Sequence, residues 1–236
     1  MKLLVFLLGL SLSGQAQLKT PILVELFTAE GCGSCPPADE LISAIDQLQP
    51  IPNADLIVLS EHVTYWDASS RDRFATTALT NRQLGYAQLL KIEGVYTPQL
   101  VIDGQFECAG GNGPEAKRLI LKALEQTKPL MEIYANINAG KLKTNVAFFG
   151  LQGSTVLVAI AEETAETKVT KGENAGKTLK HTAVVRALHT IGEANGLRFD
   201  QSVELPLPPI AAKFRVVAFA QDKKTGRILA AAQVKF

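Results

Sequence analysis

The stretch Gly31-Cys32-Gly33-Ser34-Cys35-Pro36-Pro37 decides how the rest of the chain is read. Before it, Pro21-Ile22-Leu23-Val24-Glu25-Leu26-Phe27 is a short apolar run rich in strand formers. After it, residues 38–48 carry Leu41, Ile42, Ile45 and Leu48 at the spacing of one helix face. A dithiol with two intervening residues therefore stands on a strand-to-helix junction. Thiols at this spacing can close a small disulfide, and the positive end of a helix stabilises a thiolate there. A static disulfide or half of a zinc site is the plainer reading. Zinc would need two more ligands at matching spacing, and the chain has three cysteines with no second pair. The motif points to thiol–disulfide chemistry at Cys32 and Cys35.

The first residues read as a secretory signal. Lys2 supplies a positive start, residues 3–12 an apolar core, and Gly14-Gln15-Ala16 small residues for cleavage. Residues 1–16 are thus expected to be removed, and the mature protein to be exported to a periplasmic or extracellular space. That apolar core is too short for a membrane span, and no later stretch is long enough to be one. The 236 residues carry a formal net charge of +1 with both signs interspersed. This leaves no electrostatic footprint for nucleic acid or an anionic membrane surface. Three cysteines do not make a disulfide framework, so the core must hold the fold. Cys108, left odd, is expected to be a buried and unreactive thiol.

Beyond the first helix, Asp55-Leu56-Ile57-Val58-Leu59-Ser60 reads as a buried strand, making a strand–helix–strand crossover with a parallel pair. Residues 78–91 look helical. Gly94-Val95-Tyr96-Thr97-Pro98 breaks that helix, and Gln99-Leu100-Val101-Ile102 starts a strand that turns at Asp103-Gly104, a strong hairpin signal. Helical spacing resumes over residues 114–126. Past Pro129 the pattern becomes one of short strands: 131–138 and 141–148 as a hairpin, then 154–161, 202–207, 214–220 and 228–234. Residues 170–192 are ambiguous between strand and short helix. A chain of short strands with turn signals predicts an all-β, sandwich-like domain over residues 129–236.

The element order up to residue 128 resembles the thioredoxin fold, with one segment inserted between the second strand and the following helix. The resemblance enters at Cys32-Gly33-Ser34-Cys35 and at Thr97-Pro98. A more specific likeness rests on the run from Glu25 through Cys32 and Cys35 to Asp39, on Glu61-His62-Val63-Thr64-Tyr65-Trp66-Asp67, on Asp72-Arg73-Phe74 and on Val95-Tyr96-Thr97-Pro98-Gln99. Gly172-Glu173-Asn174-Ala175-Gly176-Lys177, with Val184-Val185-Arg186 behind it, completes the set. Together these are similar to the secreted, thioredoxin-like family catalogued as domain of unknown function 1223. The implied fold is an α/β thioredoxin-like domain with an inserted segment over residues 17–128, followed by the β domain. The resemblance also implies that Cys32 attacks and Cys35 resolves, that the Thr97–Pro98 bond is cis beside the dithiol, and that Thr97 binds the substrate backbone.

The residues themselves qualify this picture. Pro36 and Pro37 lack amide donors and restrict Cys35, so the helix is expected to start at Pro36 with Cys35 as its N-cap. Glu30, Asp39 and Glu40 put negative charge near the thiols, which disfavours thiolate and argues for a reductant or isomerase over a strong oxidant. Glu25 lies seven residues before Cys32, where thioredoxin-like enzymes often carry their buried acid six before; Leu26 holds that place here. His62, at the end of the second strand, is a candidate general base for either sulfur, with a hydrogen-bonded loop histidine as the alternative. Tyr65, Trp66 and Tyr96 are expected to wall a substrate cleft. Arg71, Arg73 and Arg82 are expected to pair with Asp67, Asp72 and Glu93. His181, Arg186 and His189 lie in the β domain, far in sequence from the dithiol, and residues 172–176 read as a turn; that domain is expected to be a docking or substrate-presenting module.

The leading expectation is an exported thiol–disulfide oxidoreductase acting on protein or small-molecule thiols. It needs no cofactor beyond the Cys32–Cys35 disulfide, and an unidentified redox partner recycles it. One alternative is a periplasmic copper-binding or metal-delivery protein using Cys32, Cys35 and His62. Another is a non-catalytic binding protein that uses the Trp66 cleft.

Overall fold

The computed structural model describes residues 19–66, 71–210 and 213–236. The signal segment expected over residues 1–16, and Asp67, lie outside the described residues. Strand β1 (Thr20–Thr28) passes through the dithiol turn into helix α1 (Pro36–Leu48) and then β2 (Ala54–His62). β1 and β2 run parallel and in register from Thr20↔Ala54 to Thr28↔His62. A single 3-10 turn (Thr64–Trp66) precedes α2 (Thr77–Leu90), β3 (Gln99–Ile102), β4 (Phe106–Ala109) and α3 (Gly113–Ala123). Seven strands follow: β5 (Met131–Asn138), β6 (Lys141–Phe149), β7 (Ser154–Lys168), β8 (Thr178–Ala194), β9 (Arg198–Pro206), β10 (Phe214–Asp222) and β11 (Ile228–Lys235).

The strand order overturns the expected fold class. Instead of a thioredoxin-like α/β domain beside a separate β-sandwich, the described residues hold eleven strands and three α-helices. Eight of the strands form one mixed sheet, ordered β11-β10-β7-β8-β2-β1-β3-β4. β8 lies parallel to β2, paired at Ser60↔Val184, and the Ser60 hydroxyl donates to the Thr182 carbonyl at 2.7 Å. Strands on either side of Pro129 therefore share one hydrogen-bonded surface. β5, β6 and β9 form a second, three-stranded sheet. Its inward residues Met131, Leu142, Val146 and Phe148 pack on Val158, Ile160, Val216 and Ala218 of the large one.

The reason for the misreading is local. β8 is 17 residues long, and its pairing with β7 shifts register twice, between Val156/Leu157 and between Ile160/Ala161. Each bulge inverts the in–out alternation that marks a strand in sequence. Residues 170–192 therefore show no single period.

The large sheet curls so that its β10–β11 end comes back against β1. The Ile228 amide donates to the Asp103 carbonyl at 2.9 Å. Asp103 and Gly104 have φ of 57° and 65°, the left-handed pair that an Asp-Gly hairpin turn requires. A Cβ on Gly104 would lie 2.1 Å from the Gly226 carbonyl oxygen, so this approach of two turns needs glycine. The Asp103 carboxylate is buried and paired with Lys128.

Arg215 on β10 ties the β-rich region to α1. Its side chain is fully buried and reaches Asp46 at 2.7 and 2.8 Å and Glu163 at 2.6 Å through both Nε and Nη2. Removing one side of a buried pair leaves the other charge uncompensated. Arg215→Met is expected to lower stability by about 3 kcal/mol in urea unfolding. A loss below about 1 kcal/mol would mark the pair as no stronger than one on the surface.

Candidate functional site

Cys32 and Cys35 form a disulfide with Cα atoms 5.4 Å apart. Helix α1 starts at Pro36 with Cys35 as its N-cap residue, as the two prolines require. The Cys35 carbonyl accepts the amides of Ala38 (2.9 Å) and Asp39 (3.1 Å), and the Cys32 carbonyl accepts the Cys35 amide at 3.2 Å. Cys32 is 0% and Cys35 1% exposed, packed with Phe27, Ala29, Val63, Tyr86 and Val101, and with Trp66 at the edge. In this conformation neither sulfur is open to an external thiol.

Part of the cover comes from the β7–β8 connection, which the sequence reading treated as a plain turn. Asn174 is fully buried; its Nδ2 donates to the carbonyls of Glu30 (3.0 Å) and Cys32 (2.8 Å). Its Oδ1 accepts from Lys177 Nζ at 2.9 Å. The neighbouring Glu173 carboxylate accepts the Gly33 amide at 2.9 Å. A Cβ on Gly33 would lie 2.3 Å from that carboxylate oxygen, so the glycine of the motif admits the contact.

A cluster of ionisable groups is buried around the end of β2, on the face that carries α1. His62 is fully buried, with Nδ1 2.6 Å from Asp72 Oδ2. His181, from β8, lies edge-on to it at 4.7 Å between ring centroids. His181 Nε2 is 3.8 Å from Glu30, and Nδ1 is 3.5 Å from Asp39. His181, far from the dithiol in sequence, is thus brought close to it in space, since Glu30 and Asp39 flank the two cysteines. Burial works against the Asp72 carboxylate, but His62 and the amides of Glu30 and Phe74 hold its pKa down at about 2. Burial also works against the His62 imidazolium and is outweighed by Asp72, so its pKa is raised. Burial, with Asp72 nearby, raises that of Glu30. His62 acts here as a hydrogen-bonded partner of Asp72; neither sulfur is among its bonded or ring partners in the described residues.

The opposite face of the sheet carries a second cluster, because alternate residues of β1 point opposite ways. Glu25 is fully buried and bonded to Arg82 Nε and to the Tyr86 hydroxyl, both at 2.5 Å. Arg82 also lies 3.4 Å from Glu61, so its partners are Glu25 and Glu61 and not Glu93. Burial, with Glu25 close by, raises the Glu61 pKa well above the usual carboxylate range.

The remaining predicted residues are placed as follows. The Thr97–Pro98 bond is cis, and Trp66 Nε1 donates to Thr97 Oγ1 at 2.8 Å, linking that loop to the packing around the disulfide. The hydroxyl of Tyr65, a half-exposed residue, donates to Gln83 at 3.2 Å. Tyr96 donates its hydroxyl to Glu107. Cys108 is a buried free thiol, its pKa pushed up to about 11 by burial with Glu115 and Glu107 adding to it. Among the described residues no set of three or more His, Cys, Asp or Glu is arranged to hold a metal ion. No helix among them is long and apolar enough to cross a membrane. The sequence reading missed Glu173, Asn174 and His181; its one signal was the 172–177 motif, which it noted without a role.

The His62–Asp72 pair makes stability depend on pH in a defined direction. Folded His62 holds its proton more tightly than an unfolded histidine. Its contribution is therefore full below about pH 6.5 and is lost as pH rises through the folded pKa. Asp72 contributes above about pH 4 and loses its share as pH falls towards 2. The urea midpoint should accordingly fall above pH 6.5, and Asp72→Asn should flatten that fall and lower the His62 titration followed by NMR. An unmoved His62 titration in that variant would refute the pairing.

The chain has relatives of similar architecture. A crystal structure of protein AGR_C_4864 from Agrobacterium tumefaciens is similar with a TM-score of 0.68 and 25% sequence identity, over 94% of this chain and 96% of that one. A weaker likeness is to wild-type OgpA from Akkermansia muciniphila, with a TM-score of 0.28 and 14% identity over 47% of this chain and 29% of that one. No curated protein matches the chain. The family model described as protein of unknown function (DUF1223) matches residues 23–221. That span holds the dithiol turn, the buried clusters and the β7–β8 connection, and the chain belongs to the DUF1223 family.

Proposed function

We propose that the protein is an exported thiol–disulfide oxidoreductase that works through Cys32 and Cys35 as a reductant or isomerase. The observation that carries this reading is the Cys32–Cys35 disulfide at the N-terminus of α1, set among acids. The helix end favours a thiolate, while the acidic surround opposes a strongly acidic one. Glu30 and Asp39, both buried, flank the turn, and Glu173 reaches it from the β7–β8 connection. A thiol whose thiolate is not over-stabilised forms a disulfide that is harder to reduce, and its dithiol form is a better electron donor.

The exchange balances as follows. In the dithiol state, the Cys32 thiolate attacks a substrate disulfide, and one substrate sulfur leaves and takes a proton. Cys35, deprotonated, then attacks Cys32, releasing the second substrate thiol and closing the Cys32–Cys35 bond. The protein loses two electrons and two protons to the substrate. Turnover needs a second dithiol to reduce it again, and substrates are protein or small-molecule disulfides.

Two measurements test the reading. Equilibration with a dithiol buffer should give a reduction potential nearer about −270 mV than the about −120 mV of the strongest oxidants. Insulin-disulfide reduction driven by a small dithiol should be abolished by Cys32→Ser. A potential at the oxidising end would overturn the reductant assignment. Absent turnover, with Cys32→Ser and Cys35→Ser variants that fold normally, would overturn the oxidoreductase reading and leave a non-catalytic binding protein.

A further inference from the structure

Glu173 and Asn174 are joined to the dithiol turn across about 140 residues of sequence, and each bond falls on the backbone that carries Cys32. Asn174 uses both donor hydrogens on the Glu30 and Cys32 carbonyls, and Lys177 holds its oxygen. The side chain has no freedom to turn, so the carbonyls on either side of Gly31 are held at fixed positions.

Glu173 acts differently. Its carboxylate occupies the Gly33 amide, the first backbone donor after Cys32. The Ser34 hydroxyl lies 3.5 Å from the Cys32 sulfur, while the Gly33 amide between them in the chain is already taken. The negative charge that takes it is bonded to the residue that follows Cys32 in the chain. Both effects disfavour the charged sulfur. Lys177, the cation of the same loop, is committed to Asn174 Oδ1.

We propose that Glu173 and Asn174 are positioning residues of the Cys32–Cys35 site: the Glu173 carboxylate lowers the fraction of Cys32 present as the attacking thiolate, and the Asn174 carboxamide fixes the turn that presents it. The inference rests on the redox reading above and deepens it. The β7–β8 connection becomes the element that sets how reactive the dithiol is, and the two glycines of the contact have a shared reason. Gly33 lets the carboxylate approach, and Gly172 (φ 80°) lets the chain turn before Glu173.

The test uses the full mature chain in its reduced form. Thiolate absorbance is followed against pH, and alkylation by iodoacetamide is timed at neutral pH, with the modified cysteine identified by mass mapping. Glu173→Gln keeps an acceptor for the Gly33 amide and removes the charge. It is expected to lower the Cys32 thiol pKa by about half a unit to one unit and to speed its alkylation about three- to tenfold. Glu173→Asp should stay near the wild type. Asn174→Ala should broaden reactivity to both cysteines; should it fail to fold, the exposed Glu173 still decides the matter. An unmoved thiol pKa and alkylation rate in Glu173→Gln would overturn the proposal. Neither readout needs turnover, so a shift without insulin reduction would support the positioning role while the oxidoreductase reading falls. Turnover with no shift would do the reverse.

Discussion

The parallel pairing of β2 with β8 makes the first and last parts of the chain one sheet. It is brief: one bridged pair at Ser60 and Val184, with the Ser60 hydroxyl on the Thr182 carbonyl. Its consequences reach further than its length. β8 carries His181 into the cluster beside β2, and the connection before β8 brings Glu173 and Asn174 onto the dithiol turn. Closing so long a loop costs little more than closing a short one, since the entropy grows only with the logarithm of length. The cost is offset by the buried surface of β7, β8 and β10 against their neighbours.

Buried charge organises both faces of the β1–β2 pair. A lone ionised group in a low-dielectric interior is expensive, which favours pairing of the buried charges and the uncharged form of the unpaired ones. On the α1 face, His62 and Asp72 match each other, while burial raises Glu30 towards its neutral form. On the opposite face, Arg82 answers Glu25, and Glu61 is pushed towards its protonated form. These partners come from α2, from β8 and from the segment after the 3-10 turn. The disulfide therefore lies near two clusters whose members come from separate elements of the fold.

The dithiol turn shows how few residues are needed to set local chemistry. Pro36 and Pro37 start the helix where their missing amides cost nothing, which puts Cys35 at its cap. A side chain at Gly33 would collide with the Glu173 carboxylate. Cysteine spacing, proline placement and a small residue between them are together enough to close the bond and admit the cover. The sulfurs are then shielded by Phe27 and Val101 from two strands, by Tyr86 from α2, and by Ala29 and Val63 just past the ends of β1 and β2.

The sequence by itself determined whatever depends on a few neighbouring residues. The helix start at Pro36, the Asp103-Gly104 hairpin and the buried runs of β1 and β2 all follow from local backbone preference and periodicity. So does the alternation of β6, whose inward residues Leu142, Thr144, Val146 and Phe148 recur every second position. The family membership was legible too, because its motifs are short and contiguous. Only the tertiary structure decided which strands meet. Backbone hydrogen bonds are chemically alike in every strand, so nothing in residues 178–194 marks β2 as the partner of β8. The bulges in β8 further hid even its strand character. For the same reason the sequence did not show that His181 approaches the acids beside the dithiol, that the turn at residues 172–176 covers Cys32, or that Arg82 pairs with Glu25 and not with Glu93. Each of those contacts joins residues more than fifty apart in sequence.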